Sequence, residues 1–175
     1  MKNRRFIMRL SILAVMLAAV GYTLYANFAE EQGLVDAGDE APNFVLEDID
    51  GDNFELEELE GEGVYVNFWA TYCTYCQDKM GYLQDHYDDY EEEGVQVLNV
   101  NVDETTLQVE RHKDRFGYDF PIYIDRDMLV SNSYGVHSLP AAYLIDENGE
   151  VLERHIGAQT EDQVLSSLDQ LIPED

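Results

Sequence analysis

The stretch that decides the fold is VYVNFWATYCTYC, residues 64–76. Its first six residues are apolar or β-branched apart from one asparagine, and such a run is typical of a strand buried on both faces. Cys73 and Cys76, which end the stretch, are the only cysteines of the chain. Because they are three residues apart at the predicted start of a helix, their sulfur atoms can meet and form a disulfide. The sequence therefore predicts a cysteine pair where a buried strand turns into a helix.

This position of the cysteines indicates redox chemistry. The unpaired N–H groups of a helix N-terminus favour the thiolate, which is the reactive form of cysteine. A disulfide that closes so short a ring adds little to fold stability, which favours a bond that forms and breaks. We expect Cys73 to be the exposed nucleophile and Cys76 to be the resolving thiol. The residues expected to line a substrate groove beside the pair are Trp69, Tyr72, Thr74 and Tyr75.

The rest of the chain predicts strands and helices in alternation. The predicted strands are 44–46, 53–56, 64–69, 95–102, 120–124, 141–145 and 150–156. The predicted helices are 73–90, 105–116, 127–134 and 160–172. Asp50-Gly51 and Glu147-Asn148-Gly149 are hairpin turn signals, and Thr160 with Gln163 forms a capping box. This order predicts an α/β fold, in which a mixed sheet has helices on both faces.

The charge of the chain is strongly acidic and uneven. From residue 30 onward there are six basic residues and all 37 acidic ones, so that the difference 6 − 37 gives a net charge of −31. Such a surface should repel nucleic acid and anionic lipid headgroups. Two explanations of this acidity are open. One is a docking surface for a basic partner, and the other is a solvated shell suited to a salty or alkaline exterior. The charge is spread along the whole chain and is not concentrated in blocks, which favours the second explanation.

The N-terminus predicts a membrane anchor. Four basic residues lie in the first nine, and Leu10–Ala26 carries no charge. A run of this length can span a bilayer, and the basic flank predicts a cytoplasmic N-terminus. We expect an uncleaved, single-pass signal-anchor at 1–29, a linker at 30–43 and an extracytoplasmic domain at 44–175 in an oxidising compartment. A cleaved signal peptide is the alternative.

Two segments resemble the thioredoxin fold. Residues 66–76, VNFWATYCTYC, resemble its signature, in which a strand ending Phe-Trp-Ala precedes the cysteines. Ser138–Asp146, SLPAAYLID, resembles the loop in which a cis-proline faces the thiols, and Pro140 matches that proline. The resemblance implies that Leu139, before the proline, offers its backbone to a substrate peptide in strand-like pairing.

A closer resemblance extends through nearly the whole chain. Residues 41–59, APNFVLEDIDGDNFELEEL, are similar to the N-terminal hairpin of the ResA/TlpA group of membrane-anchored thiol-disulfide oxidoreductases. The helix–strand insertion at about 105–124 and the single anchor also fit this group. The resemblance implies reduction of the apocytochrome c disulfide so that haem can attach, with re-reduction by a membrane partner of the CcdA type. We expect a monomer that needs no cofactor or metal beyond its redox-active disulfide.

Other functions remain open alternatives. A general disulfide oxidase or isomerase of exported proteins could use the same cysteine pair, because direction depends on the reduction potential. A thiol peroxidase needs proline and Thr/Ser before its cysteine, where this chain has Val66 and Ala70. A metal-binding module of the Sco type needs three residues between its cysteines and a partner histidine, whereas here the spacing is two. The four histidines are expected to be surface or core residues.

Lys79 is the main departure from the ResA-like pattern. That group has glutamate three residues after the second cysteine, and it usually has proline and tryptophan where this chain has Tyr75 and Tyr72. A lysine should lower the pKa of a nearby thiol, and it cannot accept a proton while charged. One hypothesis is that Lys79 favours the thiolate and so modulates the pair. The other is a surface lysine paired with an acid.

Overall fold

The computed structural model describes residues 2–30 and 35–173, which fall into two units. The first unit is a single helix, α1 (Lys2–Glu30). Among the described residues, no helix combines the length and the apolar character that a membrane crossing requires. The predicted transmembrane helix is therefore not confirmed. Residues 31–34, which belong to the predicted linker, lie outside the described residues.

The second unit contains one sheet of seven strands. The strands are β1 (Val45–Asp48), β2 (Asn53–Glu55), β3 (Gly63–Trp69), β4 (Val95–Val102), β5 (Ile122–Asp125), β6 (Ala141–Ile145) and β7 (Val151–Ile156). The helices are α2 (Thr74–Glu92), α3 (Thr106–Phe116), α4 (Leu129–Ser133) and α5 (Glu161–Asp169), with a 3₁₀ helix at Leu56–Leu59. The predicted order of strands and helices is confirmed. Helix α4 is shorter than predicted, because Met128 adopts a left-handed conformation (φ 53°) that a right-handed helix cannot include.

The strand order is β2-β1-β5-β4-β3-β6-β7. Strands β3, β4 and β5 are parallel, whereas β1, β6 and β7 join their neighbours in antiparallel pairing. The predicted hairpins β1–β2 and β6–β7 thus form the two outer parts of the sheet. Strand β3 lies between β4 and β6, so the turn that follows its carboxyl end is held by the centre of the sheet.

Strand β3 contributes to both sides of the core. Its successive side chains point to opposite faces of the sheet. Tyr65 and Trp69 pack with Met80 of α2 on one face, in a cluster that also includes residues of α3 and α5. Val66 packs on the other face with Val130 of α4. Helices therefore cover both faces, as predicted, and a strand with no solvent-facing side explains the continuous apolar sequence.

Residues 35–43, which the sequence assigns to a linker, belong to the second unit. The Gly38 N–H donates to the Val151 carbonyl at 2.8 Å, and the Ala41 N–H donates to the Gly149 carbonyl at 2.8 Å. The Val35 side chain is buried. These contacts hold the segment against the β6–β7 hairpin.

Candidate redox site

The site begins where β3 ends. Residues 70–73 form a turn that the Cys73 N–H closes by donating to the Ala70 carbonyl at 3.1 Å. Cys73 has an extended backbone and is the N-cap of α2, and its sulfur accepts a hydrogen bond from the Cys76 N–H at 3.2 Å. The sulfur therefore lies at the positive end of the helix, where a thiolate is stabilised.

Cys73 and Cys76 are joined by a disulfide, and their Cα atoms are 5.2 Å apart. The two sulfurs differ in access, since Cys76 is fully buried whereas Cys73 is partly exposed. A substrate approaching from solvent can therefore reach Cys73 and not Cys76. This difference fits an attacking thiol at Cys73 and a resolving thiol at Cys76.

A groove runs beside Cys73. The residues that line it are Tyr72, Cys73, Thr74, Tyr75, Val102, Met128, Val136, His137, Ser138 and Leu139. Tyr72 and Tyr75 are 75% and 64% exposed, so their rings are available to a partner. The Leu139–Pro140 peptide bond is cis, as the resemblance implies, and Leu139 lies on the groove wall. The predicted groove residues Tyr72, Thr74, Tyr75 and Leu139 thus lie together.

The prediction that Trp69 lines this groove is wrong. Its side chain is fully buried, and its ring lies 5.3 Å from the His112 ring of α3. Trp69 is on the face of β3 that α2 and α3 cover, because it alternates with Phe68 along the strand. Trp69 therefore packs in the core next to the turn and does not contact a substrate.

Sequence reasoning missed some groove residues. His137 was expected among ordinary surface or core histidines, yet it lines the same groove as Cys73. Val102 and Met128 reach the groove from the end of β4 and from the residue before α4. Val102 could have been found as the last residue of a strand parallel to β3, because the carboxyl ends of parallel strands lie at one edge.

Lys79 is buried, with 1% of its surface exposed. Its Nζ has no hydrogen-bond acceptor among the described residues and lies 5.4 Å from the centre of the Tyr65 ring. The alternative of a surface lysine paired with an acid is therefore wrong. Burial lowers the pKa of the Lys79 amine from 10.5 to about 7, because a low-dielectric interior disfavours the charged form. Near pH 7, a substantial fraction of this lysine is thus neutral.

Within residues 2–30 and 35–173, no group of three or more His, Cys, Asp and Glu side chains could hold a metal ion. Disulfide exchange needs no bound cofactor, because the two sulfur atoms carry both electrons. The Cys73–Cys76 pair supplies the two sulfur atoms for such an exchange.

A disulfide at the start of a helix, placed by the central strand of a mixed sheet and facing a cis-proline loop, defines the class of thiol-disulfide oxidoreductases with a thioredoxin-like fold. The AhpC/TSA family model matches residues 37–154. The thiol-disulfide oxidoreductase ResA of Halalkalibacterium halodurans is 47% identical over 173 residues, which are 99% of this chain and 98% of the relative. The ResA of Geobacillus thermodenitrificans is 44% identical over 98% of this chain and 99% of its own length. The chain therefore belongs to the AhpC/TSA family and, within it, to the ResA thiol-disulfide oxidoreductases.

A solved structure agrees with this assignment. The crystal structure of a DsbE-type thiol:disulfide interchange protein from Chlorobium tepidum matches with a TM-score of 0.69 and 31% sequence identity. The match covers 77% of this chain and 99% of that protein. The protein is thus a thiol-disulfide oxidoreductase that acts on disulfide-bearing partners through the Cys73–Cys76 pair.

Proposed function

We propose that the protein reduces disulfides of exported proteins, and that its main substrate is the haem-binding cysteine pair of apocytochrome c. The single observation that carries disulfide exchange through Cys73 is the difference in access between a partly exposed Cys73 and a fully buried Cys76. A buried resolving thiol can close the disulfide without meeting solvent. The relatives named ResA support the reaction class, and the resemblance to their group supports the substrate.

The reaction proceeds in two exchanges. The Cys73 thiolate attacks one sulfur of the substrate disulfide, so that a Cys73–substrate bond forms and the substrate S–S bond breaks. The departing substrate thiolate takes up a proton. Cys76 then loses its proton and attacks the Cys73 sulfur, which releases the second substrate thiol and forms the Cys73–Cys76 disulfide. The substrate gains two electrons and the protein loses two, and a membrane donor of the CcdA type restores the dithiol.

The groove supplies the substrate contacts. In this proposal, Tyr72, Thr74 and Tyr75 contact the substrate chain on one side of Cys73. Leu139 offers its backbone on the other side, before Pro140. Lys79 contacts no substrate, because it is buried, and it acts as a modulating residue on the cysteine pair.

Trapping the mixed disulfide tests the proposal. The reduced Cys76→Ser variant, mixed with an oxidised Cys-x-x-Cys-His peptide, should accumulate a covalent adduct on Cys73, because the protein has no second thiol to release the reduced peptide. The Cys73→Ser variant is the matched control and should accumulate little adduct, because Cys76 is fully buried. Mass spectrometry reads both. The mechanism is contradicted by a Cys76→Ser variant that traps no disulfide peptide, and a reduction potential above about −180 mV favours an oxidase or isomerase instead.

We also propose that the protein is held in the cell membrane with its N-terminus cytoplasmic and residues 30–175 outside. The support is the sequence, in which four basic residues precede the uncharged Leu10–Ala26. A membrane-impermeant maleimide, added to intact reduced cells that express the full chain, should label Cys73. Labelling that appears only after lysis, or recovery of the chain in the soluble fraction, contradicts this location.

A further inference from the structure

Glu104 lies in the loop between β4 and α3, and its carboxylate binds the redox turn. One oxygen, Oε2, accepts from the Thr71 N–H at 2.6 Å and from Asn101 Nδ2 at 2.8 Å. The other oxygen, Oε1, accepts from the Thr71 hydroxyl at 2.5 Å. Thr71 lies within the turn that Ala70 and Cys73 close. Two hydrogen bonds therefore tie this carboxylate to Thr71 of the turn that presents Cys73, and a third ties it to Asn101 of β4.

The loop that carries Glu104 is itself fixed. The Asp103 N–H donates to the Asp125 carbonyl of β5 at 3.0 Å, and Asp103 adopts a left-handed conformation with φ 58°. On the other side, Thr105 is the N-cap of α3 and forms a capping box with Gln108. Glu104 thus projects from a segment whose backbone is held at both ends.

The carboxylate is also a buried charge. Glu104 is 8% exposed, and none of the ion pairs among the described residues includes it. Hydrogen bonds to a charged acceptor are stronger than neutral ones, so the carboxylate can hold the turn without a cation beside it. No ion pair among the described residues neutralises its negative charge, and Thr71, to which it is bonded, lies two positions before Cys73.

We propose that Glu104 is a positioning residue for disulfide exchange, which fixes the turn that presents Cys73 and whose charge opposes formation of the Cys73 thiolate. This inference rests on disulfide exchange at Cys73, as in the proposed function, but it does not depend on the identity of the substrate. Because the charge destabilises the thiolate form of the reduced protein, it favours the disulfide and makes the pair a stronger reductant.

Other ionisable groups lie on the elements around Cys73. Asp78 and the buried Lys79 lie on α2, His137 faces the groove, and His112 of α3 packs under the turn against Trp69. Burial lowers the pKa of the His112 imidazole, and Glu104 opposes that effect. Among these groups, Glu104 is the acid that is both buried and hydrogen-bonded to the turn. A variant that removes the charge of Glu104 alone therefore measures the effect of this one carboxylate on Cys73.

The Glu104→Gln variant of the full chain tests the inference, because it keeps the shape of the side chain and removes the charge. The equilibrium constant for reduction of the disulfide by dithiothreitol is measured at two pH values. At a pH of about 10, where the reduced pair is ionised, we expect the variant to be reduced about tenfold more readily than the wild type, which corresponds to about 30 mV for two electrons. At a pH of about 5, where the thiols are protonated, the charge has no thiolate to repel and the difference should vanish.

The matched control is Asp103→Asn. It removes a neighbouring charge that is exposed, and asparagine tolerates the left-handed conformation. We expect its equilibrium constant to stay within about twofold of the wild type at both pH values, because an exposed charge is screened. Equal constants for Glu104→Gln and the wild type at high pH overturn the inference, and so does a difference of the same size at both pH values.

A second variant covers the case in which Glu104→Gln does not fold. Thr71→Val removes one hydrogen bond to the carboxylate and keeps the charge. We expect the exchange rate to fall about tenfold, because the turn is held less firmly, whereas the equilibrium constant at high pH stays unchanged. An unchanged exchange rate contradicts the positioning role. These measurements use dithiothreitol and no apocytochrome c peptide. Failure of the trapping experiment would therefore contradict the proposed substrate without contradicting the role of Glu104.

Discussion

The Lys79 amine is one of eight buried side-chain nitrogen and oxygen atoms that have no hydrogen-bond partner among the described residues. Its pKa falls from 10.5 to about 7 on burial, and this difference corresponds to on the order of 5 kcal/mol. Between these two values the unfolded chain binds a proton that the folded chain lacks. The free energy of unfolding should therefore rise with pH through this window, whereas below pH 7 the full penalty of a buried charge remains.

The Lys79→Met variant tests this linkage at the residue scale. Methionine keeps the length of the side chain and removes the amine, so the variant should be more stable than the wild type near pH 6 by several kcal/mol, about 3 to 5. The advantage should shrink as the pH approaches 10.5, because lysine is then neutral in both states. Urea unfolding of the two proteins across this pH range measures the effect.

A control variant and a second measurement accompany Lys79→Met. Lys113→Met, which replaces the other lysine of the second unit, should leave the rise of stability with pH in place. In the same Lys79→Met protein, Cys73 should ionise at a higher pH than in the wild type if the amine modulates the pair. Absorbance of the thiolate follows this ionisation, and identical curves reject the modulating role of Lys79.

At the scale of elements, the backbone at the start of β3 packs closely against the backbone of the segment that follows α5. A Cβ atom placed on Gly63 would lie 1.9 Å from the Leu171 carbonyl oxygen, which follows α5. No side chain fits there, since a backbone atom would have to move. Gly81 of α2 differs, because nothing lies within 4 Å of the same added atom.

Substitution of the two glycines by alanine should therefore have opposite effects. Gly63→Ala should lower the free energy of unfolding by about 3 kcal/mol, because β3 and the segment after α5 must separate. Gly81→Ala should raise it by about 1 kcal/mol, because alanine is the better residue inside a helix. Urea midpoints compare the variants with the wild type, and a neutral Gly63→Ala contradicts the close packing.

The elements that the sequence predicted best are those with local signals. The capping box of Thr160 and Gln163 is present at the start of α5, and the predicted Asp50-Gly51 turn lies between β1 and β2, where Gly51 has φ 96°. These features depend on residues that are close in sequence, so that the sequence alone is sufficient to predict them. The left-handed conformation of Met128 has no such local signal, and for that reason the start of α4 was misplaced.

The side chains of the site were harder to predict than the elements. A lysine in a sequence indicates a surface position, and only the packing of α2 against β3 shows that Lys79 is buried. Trp69 was assigned to the groove because it precedes the cysteines, but the alternation of the strand turns it to the core. Glu104 was missed because nothing in the sequence distinguishes it from the other 36 acidic residues.

At the scale of the whole molecule, the sequence predicted the α/β architecture and the cysteine pair, because both follow from a repeated alternation and a short motif. The acidic composition can be read directly from the sequence, which has 37 acidic residues among 175. The ion pairs of the described residues are His86–Glu161, Arg154–Asp36 and His155–Glu153. They leave most of the described acids of the second unit without a basic partner, so that burial of its core must outweigh the charge repulsion there.

The burial of Cys76 also has a consequence for kinetics. Since Cys73 is the sulfur that a partner can reach, the electron donor and the electron acceptor must use the same atom and cannot occupy it together. Each must leave before the other arrives, which is the pattern of ping-pong turnover. An excess of either partner should then slow the other by occupying the shared sulfur, so that the balance of donor and acceptor sets the rate at which electrons pass through the protein.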